Sequence, residues 1–469
     1  MSYQIPQHIS KDKIFIVNRS EIENRLDPLY YGSDFTKFFK HPFSVHLNEV
    51  CVEFSSGFGA GKNEQATKDD GYIQIRPTNI DNDGFLKYEK NVYVPLHKGV
   101  PFVKKGTVLF NNTNSQEWVG KTALLLDDTQ LYTSNHITSI TVDSNKLIAD
   151  YLWIVLNIYH RNKVFYSICT NWNNQSGVGI DLLRSIKVPI LPISTQQEIV
   201  DYYISAYSER QKRESEAQQL IKSIDTYLLN ELDVSLPEIR NELKNRMFLL
   251  NRSELEGRFD PTVYKDGRKL ISTKWDNVKL SKVAFVNPSG AYKGENIETP
   301  ISFVPMEVVD ERFSEITTMG KTTIEQSSGF TKFKEGDLLW AKITPCMQNG
   351  KSAVAKNLTN GLGCGSTEFF VLRPKDERLA IEYLHVILHM KCVRETAMLY
   401  FGGSAGQQRV SSSFLENFNL PLPPKEKQVE IAQHVYKMRQ QAKALQKKGK
   451  AILEQAKREV ERMIIGIVL

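Results

Sequence analysis

The sequence contains one internal repeat, at a separation far longer than that of solenoid repeats. Residues 14–28 read IFIVNRSEIENRLDP and residues 247–261 read MFLLNRSELEGRFDP, so nine of fifteen positions are identical at an offset of 233. The register holds as far as two proline-rich phrases, VPILP at 188–192 and LPLPP at 420–424. A similarity that keeps its register over so long a stretch predicts two copies of one fold.

Both copies follow the same internal plan. Each begins with a part, at roughly 40–150 and 275–375, in which short alternating apolar runs are separated by Gly, Asn, Asp and Pro. This pattern is typical of strands and turns. Helical spacing of apolar residues predicts short helices at about 146–160 and 377–392. Each copy then closes with a long segment that lacks proline after its first residues.

The two closing segments carry apolar residues alternately three and four positions apart, which predicts helices with a narrow stripe for a partner helix. The predicted pairing residues are Ile199, Tyr203, Ala206, Leu220, Ile224 and Tyr227 in the first segment and Ile431, Val435, Met438, Ala442, Leu445 and Ile452 in the second. At a rise of 1.5 Å per residue, helices of about 35–40 residues reach about 50–60 Å.

Charge favours pairing of these helices with each other. Residues 194–235 carry a net charge of −4 and residues 425–469 a net charge of +6. Opposite charges beside matched apolar stripes attract unlike helices more than like ones. Because the whole chain carries only +6, most of its basic excess lies on one helix, where a solvated face is the ordinary explanation. The charge alone is therefore poor evidence for a nucleic-acid partner.

Several function classes lack their usual signatures. The five cysteines are scattered without a C-x-x-C pair, which indicates reduced thiols rather than disulfides or a zinc finger. The absence of a secretory signal and of a membrane-length apolar run leads us to expect a cytoplasmic location without a membrane. His385 and His389 have a spacing that suits zinc, but Val386 stands where a metalloprotease needs Glu. A packing role is favoured for both histidines.

The loops between the matched phrases differ in the two copies. Loop 111–118 of the first copy corresponds to loop 341–349 of the second, and loop 171–179 corresponds to loop 402–409. These loops are rich in Asn, Gln, Lys and Arg. Amides and guanidinium groups form paired hydrogen bonds with base edges, but amide-rich loops are also ordinary turn chemistry. Both interpretations remain open from the residues alone.

Two further phrases carry a family resemblance. Residues 176–200 read SGVGIDLLRSIKVPILPISTQQEIV and residues 406–432 read GQQRVSSSFLENFNLPLPPKEKQVEIA. With the twofold repeat, they resemble the DNA-specificity (S) subunit of Type I restriction-modification systems. The resemblance implies an α+β fold with two β-rich target-recognition domains, each followed by a long helix, and the two helices pairing as an antiparallel coiled coil. The expected boundaries are 1–193, 194–235, 236–424 and 425–469.

The resemblance also implies a function. Each domain would read one half of a split, asymmetric site on double-stranded DNA, and the helices would hold the two domains at a fixed distance. The helices would dock two modification (methyltransferase) subunits, and restriction (translocase-nuclease) subunits would complete the complex. The chain itself would be non-catalytic and bind no cofactor, because S-adenosylmethionine is expected on the modification subunit.

From the divergent loops and this resemblance we predict a set of DNA contacts. They are Lys62, Arg76, Asn112, Lys121, Asn173, Asn174 and Gln175 in the first copy and Lys342, Gln348, Lys351, Gln407, Gln408 and Arg409 in the second. Because Lys121 and Lys351 occupy matched positions, we expect them to share a phosphate contact, which positions the protein without specifying sequence.

Two alternatives compete with this interpretation. The chain would be an autonomous restriction nuclease or DNA methyltransferase if it carried its own active site, or a coiled-coil adaptor that binds no DNA. Turnover without a partner would identify the enzyme. Salt-dependent retention on duplex DNA would exclude the adaptor.

Overall fold

The computed structural model describes residues 16–19, 22, 31, 39, 41–173, 175–236, 263–264, 269–404 and 407–466. The repeated phrases at 14–28 and 247–261 thus lie largely outside the described residues. The chain divides into two compact units. Unit 1 comprises residues 1–210 and 450–469, and unit 2 comprises residues 211–449.

Unit 1 combines short strands with helices. Its described strands are β1 (Ser44–His46), β2 (Cys51–Ser56), β3 (Tyr72–Ile75), β4 (Val92–Val94), β5 (Val108–Asn111), β6 (Thr113–Asn114), β7 (Thr122–Leu124), β8 (Leu131–Thr133), β9 (Ile137–Val142), β10 (Thr170–Trp172), β11 (Gln175–Gly177) and β12 (Lys187–Pro189). Its described helices are α1 (Leu47–Val50), α2 (Ala149–Arg161), α3 (Val164–Ile168), α4 (Ile180–Ser185) and the first part of α5 (Ile193–Glu231).

Unit 2 repeats this order. Its described strands are β13 (Asn277–Lys279), β14 (Ala284–Val286), β15 (Pro300–Val304), β16 (Gly320–Thr323), β17 (Thr331–Lys334), β18 (Leu338–Ala341), β19 (Ser352–Val354), β20 (Leu362–Gly365), β21 (Phe369–Pro374), β22 (Phe401–Gly402), β23 (Arg409–Val410) and β24 (Asn419–Pro421). Its described helices are α6 (Leu280–Val283), α7 (Cys346–Asn349), α8 (Ile381–His389), α9 (Lys391–Met398), α10 (Ser412–Asn417) and the part of α11 (Lys425–Ile465) up to Gly449.

The main sheets of the two units correspond strand by strand, whereas the second sheet of unit 2 has one strand more than that of unit 1. The main sheet has the order β2-β9-β5-β7 in unit 1 and β14-β21-β18-β19 in unit 2. A second sheet has the order β4-β3-β8 in unit 1 and β16-β15-β20-β17 in unit 2, and β3·β8 and β15·β20 are parallel pairs. In each unit a further pair, β1·β12 or β13·β24, joins the first described strand to the strand just before the long helix. The predicted duplication and α+β fold are confirmed.

The central strand of each main sheet is buried on both faces, which makes each domain layered. In β5, Val108 and Phe110 belong to the core that includes the helices, whereas Leu109 belongs to the core under the second sheet. In β18, Leu338 and Leu339 divide in the same way. A strand covered on both sides is apolar throughout rather than alternating. The main sheet therefore lies between a helical layer and the second sheet.

The long helices pack against each other antiparallel within unit 2. The Lys427 Nζ lies 2.8 Å from the Glu231 Oε2, so the start of α11 meets the end of α5. Farther along, the Gln446 Nε2 donates to the Glu214 Oε1 at 3.1 Å. Tyr227 also stacks on His434, with ring centroids 4.3 Å apart. The antiparallel pairing that the family resemblance implies is confirmed here.

Unit 1 contains the other ends of the same helices. Ile199 and Tyr203 of α5 share one apolar core with Leu453, Val460 and Ile464 of α11. The start of α5 therefore packs with the end of α11, which is again the antiparallel arrangement. None of the helices in the part of the chain that the structure describes combines the length and the apolar character that a bilayer crossing requires.

The predicted pairing stripe is followed over most of its length but shifts near the end of α11. Ile431, Val435, Met438 and Ala442 are buried. Beyond Gly449, Leu453 is buried in place of the predicted Ile452, which is only half-buried. An α-helix has 3.6 residues per turn, so a strict seven-residue repeat drifts around the helix and the buried stripe moves by one position. Of the other predicted residues, Ile199, Tyr203 and Ile224 are buried, and Ala206, Leu220, Tyr227 and Leu445 are half-buried.

Candidate nucleic-acid interface

Three chain segments meet where β5 ends in unit 1. The Asn112 N–H donates to the His136 carbonyl oxygen at 3.0 Å, and the Val178 N–H donates to the Asn112 carbonyl oxygen at 2.9 Å. On the same edge, Thr113 of β6 pairs with Gly177 of β11. We call this group, residues 112–114, 135–136, 170–173 and 175–178, edge 1.

Unit 2 builds the same edge with other side chains. The Lys342 N–H donates to the Glu368 carbonyl oxygen at 2.9 Å, and the Val410 N–H donates to the Lys342 carbonyl oxygen at 2.9 Å. Ile343 forms a bridge with Arg409. We call residues 342–344, 367–368, 401–404 and 407–410 edge 2.

The equivalent positions of the two edges carry different chemistry. Asn112 corresponds to Lys342, His136 to Glu368, and Gly177 to Arg409, because each pair makes the same backbone contacts. The backbone frame is thus repeated while its side chains are not. Loops on such a repeated frame suit two recognition surfaces of different specificity.

Edge 2 brings together four of the predicted DNA-contact residues. Lys342, Gln407, Gln408 and Arg409 lie there, and the Gln408 carbonyl oxygen accepts from the Thr344 N–H at 3.0 Å. The Arg409 Nε and Nη2 donate to the two carboxylate oxygens of Glu368 at 2.9 and 2.8 Å. This pairing lowers the pKa of Glu368, which is therefore ionised at neutral pH. The edge presents both a guanidinium group and a carboxylate.

Edge 1 is rich in amides. Asn173 and Gln175 are exposed around the turn between β10 and β11, while Asn174 lies outside the described residues. Trp172 next to them is 47% exposed, an unusual state for so large an apolar ring. Its ring packs on Gly177, where an added Cβ would lie 2.4 Å from the Trp172 Cη2. The glycine therefore leaves room for the exposed indole.

Asn112 supports edge 1 from inside. It is 9% exposed, and its Nδ2 donates to the Thr138 Oγ1 at 2.9 Å. A buried amide that already has its partners holds the backbone in place. The DNA contact predicted for Asn112 therefore has no support in this geometry.

The matched lysines Lys121 and Lys351 share a role, but it is intramolecular. The Lys121 Nζ donates to the Ile80 carbonyl oxygen at 2.6 Å, and the Lys351 Nζ donates to the Met306 carbonyl oxygen at 3.1 Å. Lys121 is 9% exposed, and burial lowers its pKa. Each ammonium group donates to a carbonyl oxygen in the turn after an inner strand of the second sheet, which is β3 in unit 1 and β15 in unit 2. The geometry therefore gives no support to the predicted shared phosphate contact.

Gln348 lies on α7, away from the backbone contacts that define edge 2. It is half-buried, and its carbonyl oxygen accepts a hydrogen bond from the Arg394 guanidinium. In unit 1, the corresponding loop forms β6 instead of a helix. The DNA contact predicted for Gln348 remains a prediction.

Lys62 and Arg76 lie beside the glycine-rich loop of unit 1. The Arg76 Nη2 donates to the Ala60 carbonyl oxygen at 2.9 Å, and Lys62 is exposed. Arg76 and His136 line one cavity of about 470 Å³. Arg76 therefore adjoins edge 1, and its own hydrogen bonds orient it there.

Neither His136 nor Glu368 is among the residues predicted from the sequence. Both stand just before a central strand of the main sheet, at an offset of 232. Comparison of the copies position by position, rather than loop by loop, would have revealed this His/Glu difference.

Two buried glutamines, which are also absent from the predicted residues, fix the first turn of each long helix. The Gln196 Nε2 donates to the Leu191 carbonyl oxygen at 2.7 Å, and its Oε1 accepts from the Ile148 N–H at 2.9 Å. Gln428 makes the equivalent bonds to Pro423 and Ala380, both at 2.8 Å. Both side chains are fully buried. This repeated contact gives a physical reason for Gln in the phrases TQQE and KQVE.

The described residues of the structure contain no group of three or more His, Cys, Asp or Glu side chains arranged to hold a metal ion. His385, which the sequence places at zinc spacing with His389, is buried and accepts or donates a hydrogen bond with the Ser352 Oγ at 3.1 Å.

Known proteins resemble the chain over nearly all of the part that contains both edges. Residues 44–237 and 273–455 match the family model described as Type I restriction modification DNA specificity domain. The chain is 35% identical over 199 residues to the Type I restriction enzyme EcoEI specificity subunit of Escherichia coli. That alignment covers 41% of this chain and only 30% of the relative's length.

A second relative aligns along almost its whole length. It is the putative type I restriction enzyme MjaX specificity subunit of Methanocaldococcus jannaschii, 22% identical over 449 residues, which cover 89% of this chain and 91% of the relative. A solved structure from work on complex assembly and conformational transition of the type I R-M system shares the fold. It has a TM-score of 0.51 and 17% identity, and the match covers 90% of this chain and 96% of that one.

Proposed function

The chain belongs to the Type I restriction-modification DNA specificity family, and from that premise we propose that it is the sequence-reading subunit of such a system. Its ligand is double-stranded DNA with a split, asymmetric site. Unit 1 reads one half-site and unit 2 reads the other.

The observation that carries this proposal is the pair of edges with one frame and two sets of side chains. The backbone bonds at Asn112 and Lys342 are the same, with lengths that differ by at most 0.1 Å. A duplicated domain that served only packing would have no need to vary the residues on this frame. Two half-sites of different sequence require such variation.

The polar groups of the two edges suit different bases. Asn173 and Gln175 of edge 1 offer amides, which form paired hydrogen bonds with adenine in the major groove. Edge 2 offers Arg409, which suits guanine, and Glu368, which accepts from the amino group of cytosine. Trp172 adds an exposed apolar surface for contact with a thymine methyl group or the sugar.

The remaining parts of the proposal concern partners. Two modification subunits dock on the helices α5 and α11, and restriction subunits join the assembly. Methyl transfer from S-adenosylmethionine takes place on the modification subunit, and this chain contributes binding and orientation without catalysis or a cofactor of its own.

A binding and turnover assay on the purified chain tests the proposal. The chain is mixed with duplex DNA at about 50 and 200 mM salt, and separately with DNA, Mg²⁺ and S-adenosylmethionine. We expect binding that weakens steeply with salt because phosphate contacts release counterions. We expect no cleavage or methylation without a partner subunit. Turnover by the chain alone would identify an autonomous enzyme, and absence of DNA binding at low salt would favour an adaptor.

A further inference from the structure

Unit 2 contains a cavity of about 660 Å³ between α11 and the domain. Helix α11 contributes Val429, Tyr436 and Arg439 to its wall, and the domain contributes Ser314 and His385. Its volume is within the range of small-molecule sites.

The cavity wall includes polar atoms without partners. Arg439 is only 6% exposed, and its Nε has no hydrogen-bond partner. The Ser314 Oγ is likewise buried without a partner. A buried N–H donor that lacks a hydrogen bond costs free energy, and burial lowers the pKa of Arg439 to about 10. A ligand that accepts from these donors would remove that cost.

The acidic groups near Arg439 are engaged elsewhere. The Asp225 Oδ2, whose charge favours the ionised guanidinium, accepts from the Lys391 N–H at 2.9 Å. Glu315 pairs with Lys443, and Glu382 pairs with Lys356. The guanidinium of Arg439 therefore faces the cavity without a carboxylate bound to it.

Unit 1 fills the equivalent space with aromatic rings. At the shared offset of 232, Tyr207 corresponds to Arg439 and Trp153 to His385. Phe85 stacks on Tyr207, with ring centroids 3.4 Å apart, and meets Trp153 edge-on at 4.9 Å. Unit 2 thus has a cavity lined by Arg439 and His385 where unit 1 has an aromatic cluster.

From this contrast we propose that the cavity of unit 2 binds a small organic oxyanion, a carboxylate or a phosphate ester on an apolar body. The guanidinium of Arg439 forms hydrogen bonds to the anion, as arginine does with such groups. The apolar body occupies the space that the rings of Phe85, Trp153 and Tyr207 fill in unit 1. The site is separate from edge 2 and does not depend on the proposed DNA function.

Ligand binding at this site has a structural consequence. Because the wall combines α11 with the domain, a bound anion contacts both and stabilises their packing. A ligand that binds only the folded state raises the melting temperature in proportion to the logarithm of its concentration.

Calorimetric titration and thermal unfolding of the full chain test the proposal, with benzoate and phenyl phosphate as probes. We expect at least one probe to bind and to raise the Tm of unit 2 by about 2–4 °C at saturating concentration. Arg439→Met should abolish this gain. The matched control Arg458→Met, which removes an exposed arginine from the same helix, should keep it. Comparison of the two probes distinguishes carboxylate from phosphate chemistry.

A second variant, which fills the cavity, keeps the test valid if Arg439→Met fails to fold. His385→Trp introduces the ring that unit 1 has at this position, and we expect a folded protein that has lost the probe's effect. The proposal is overturned if neither probe binds the unchanged chain. It is also overturned if Arg439→Met and His385→Trp both keep the full Tm gain, because the anion would then bind elsewhere.

Discussion

Arg409 and Glu368 show how single residues set the character of an edge. Their two-pronged ion pair holds both groups in a fixed orientation on edge 2. Such a pair presents a donor fork and an acceptor at one place, and rigid donors read base edges better than mobile ones. In unit 1 the same two positions are Gly177 and His136. The difference between half-sites is therefore expected to depend on these four residues.

Arg409→Ala tests base reading by edge 2. We expect the preference for one base pair in a single half-site to fall about 10–100-fold, because a two-pronged arginine contact discriminates by about 1–3 kcal/mol. The other half-site should keep its preference. Competition binding with single-base variants of the selected DNA measures both.

The control for this substitution is Arg378→Ala, which removes an exposed arginine that forms a similar ion pair with Asp376 in the same unit. It should leave both half-sites unchanged. Equal weakening by Arg409→Ala on every DNA sequence would show a phosphate contact and contradict base reading.

Substitution of Gln428 tests whether this side chain holds the long helix α11 on its domain. Its side chain bonds three backbone groups, so Gln428→Ala leaves buried donors and acceptors unpaired. We expect a loss of about 1–3 kcal/mol in the free energy of unfolding of unit 2. Gln196→Ala should have the same effect on unit 1. Thermal and denaturant unfolding measure both, with the exposed Gln197→Ala as control; equal behaviour of all three variants would contradict the role.

At the residue scale, the sequence predicts which residues of the two copies correspond better than it predicts which side chains are exposed. Lys121 and Lys351 are correctly matched by the repeat, and they do share a contact. That contact is with a backbone carbonyl in a turn that lies more than 40 residues away in the chain. Burial of this kind depends on tertiary packing, which a local sequence pattern does not contain.

At the scale of elements, local patterns predict strands and helices but not their partners. Punctuated apolar runs predict the β-rich parts, and α2 and α8 are present where helical spacing predicts them. The parallel pairing of β3 with β8 joins segments separated by more than 50 residues. The repeat predicts that a pairing present in one copy occurs in the other as well. It does not predict which strands pair, because that depends on tertiary packing.

The shifted stripe of α11 gives a test at this scale. Leu453 is 2% exposed and belongs to the core of unit 1, whereas the neighbouring Ile452 is half-buried. We expect Leu453→Ala to lower the free energy of unfolding by about 2–5 kcal/mol, since it leaves a cavity. Ile452→Ala should cost clearly less. A larger loss for Ile452→Ala would restore the strict seven-residue stripe and contradict the structure.

At the scale of the whole molecule, the chain passes between its two units inside α5 and α11. Each unit thus contains helix sections from distant parts of the chain. The repeat predicts two units of one fold, and the opposite helix charges predict that the two helices pair with each other.

Insertion of one heptad into both helices, near 213 and 445, tests the proposal that the helices set the spacing of half-sites. Seven residues lengthen each helix by about 10 Å, or about three base pairs. We expect the preferred spacer between half-sites to grow by that amount. Insertion into α5 alone is the control, because it shifts one stripe against the other and should weaken binding to every spacer. An unchanged spacer after the double insertion would refute the fixed-distance proposal.

The most direct test of the central claim is selection of duplex DNA by the complete chain, together with its modification subunit, from a library with a long randomised segment. We expect enrichment of two separate blocks of defined sequence, different from each other, with an unspecified spacer of constant length between them. Enrichment of one continuous block, of two identical blocks, or of no sequence would contradict the claim that two copies of one domain each read a different half-site.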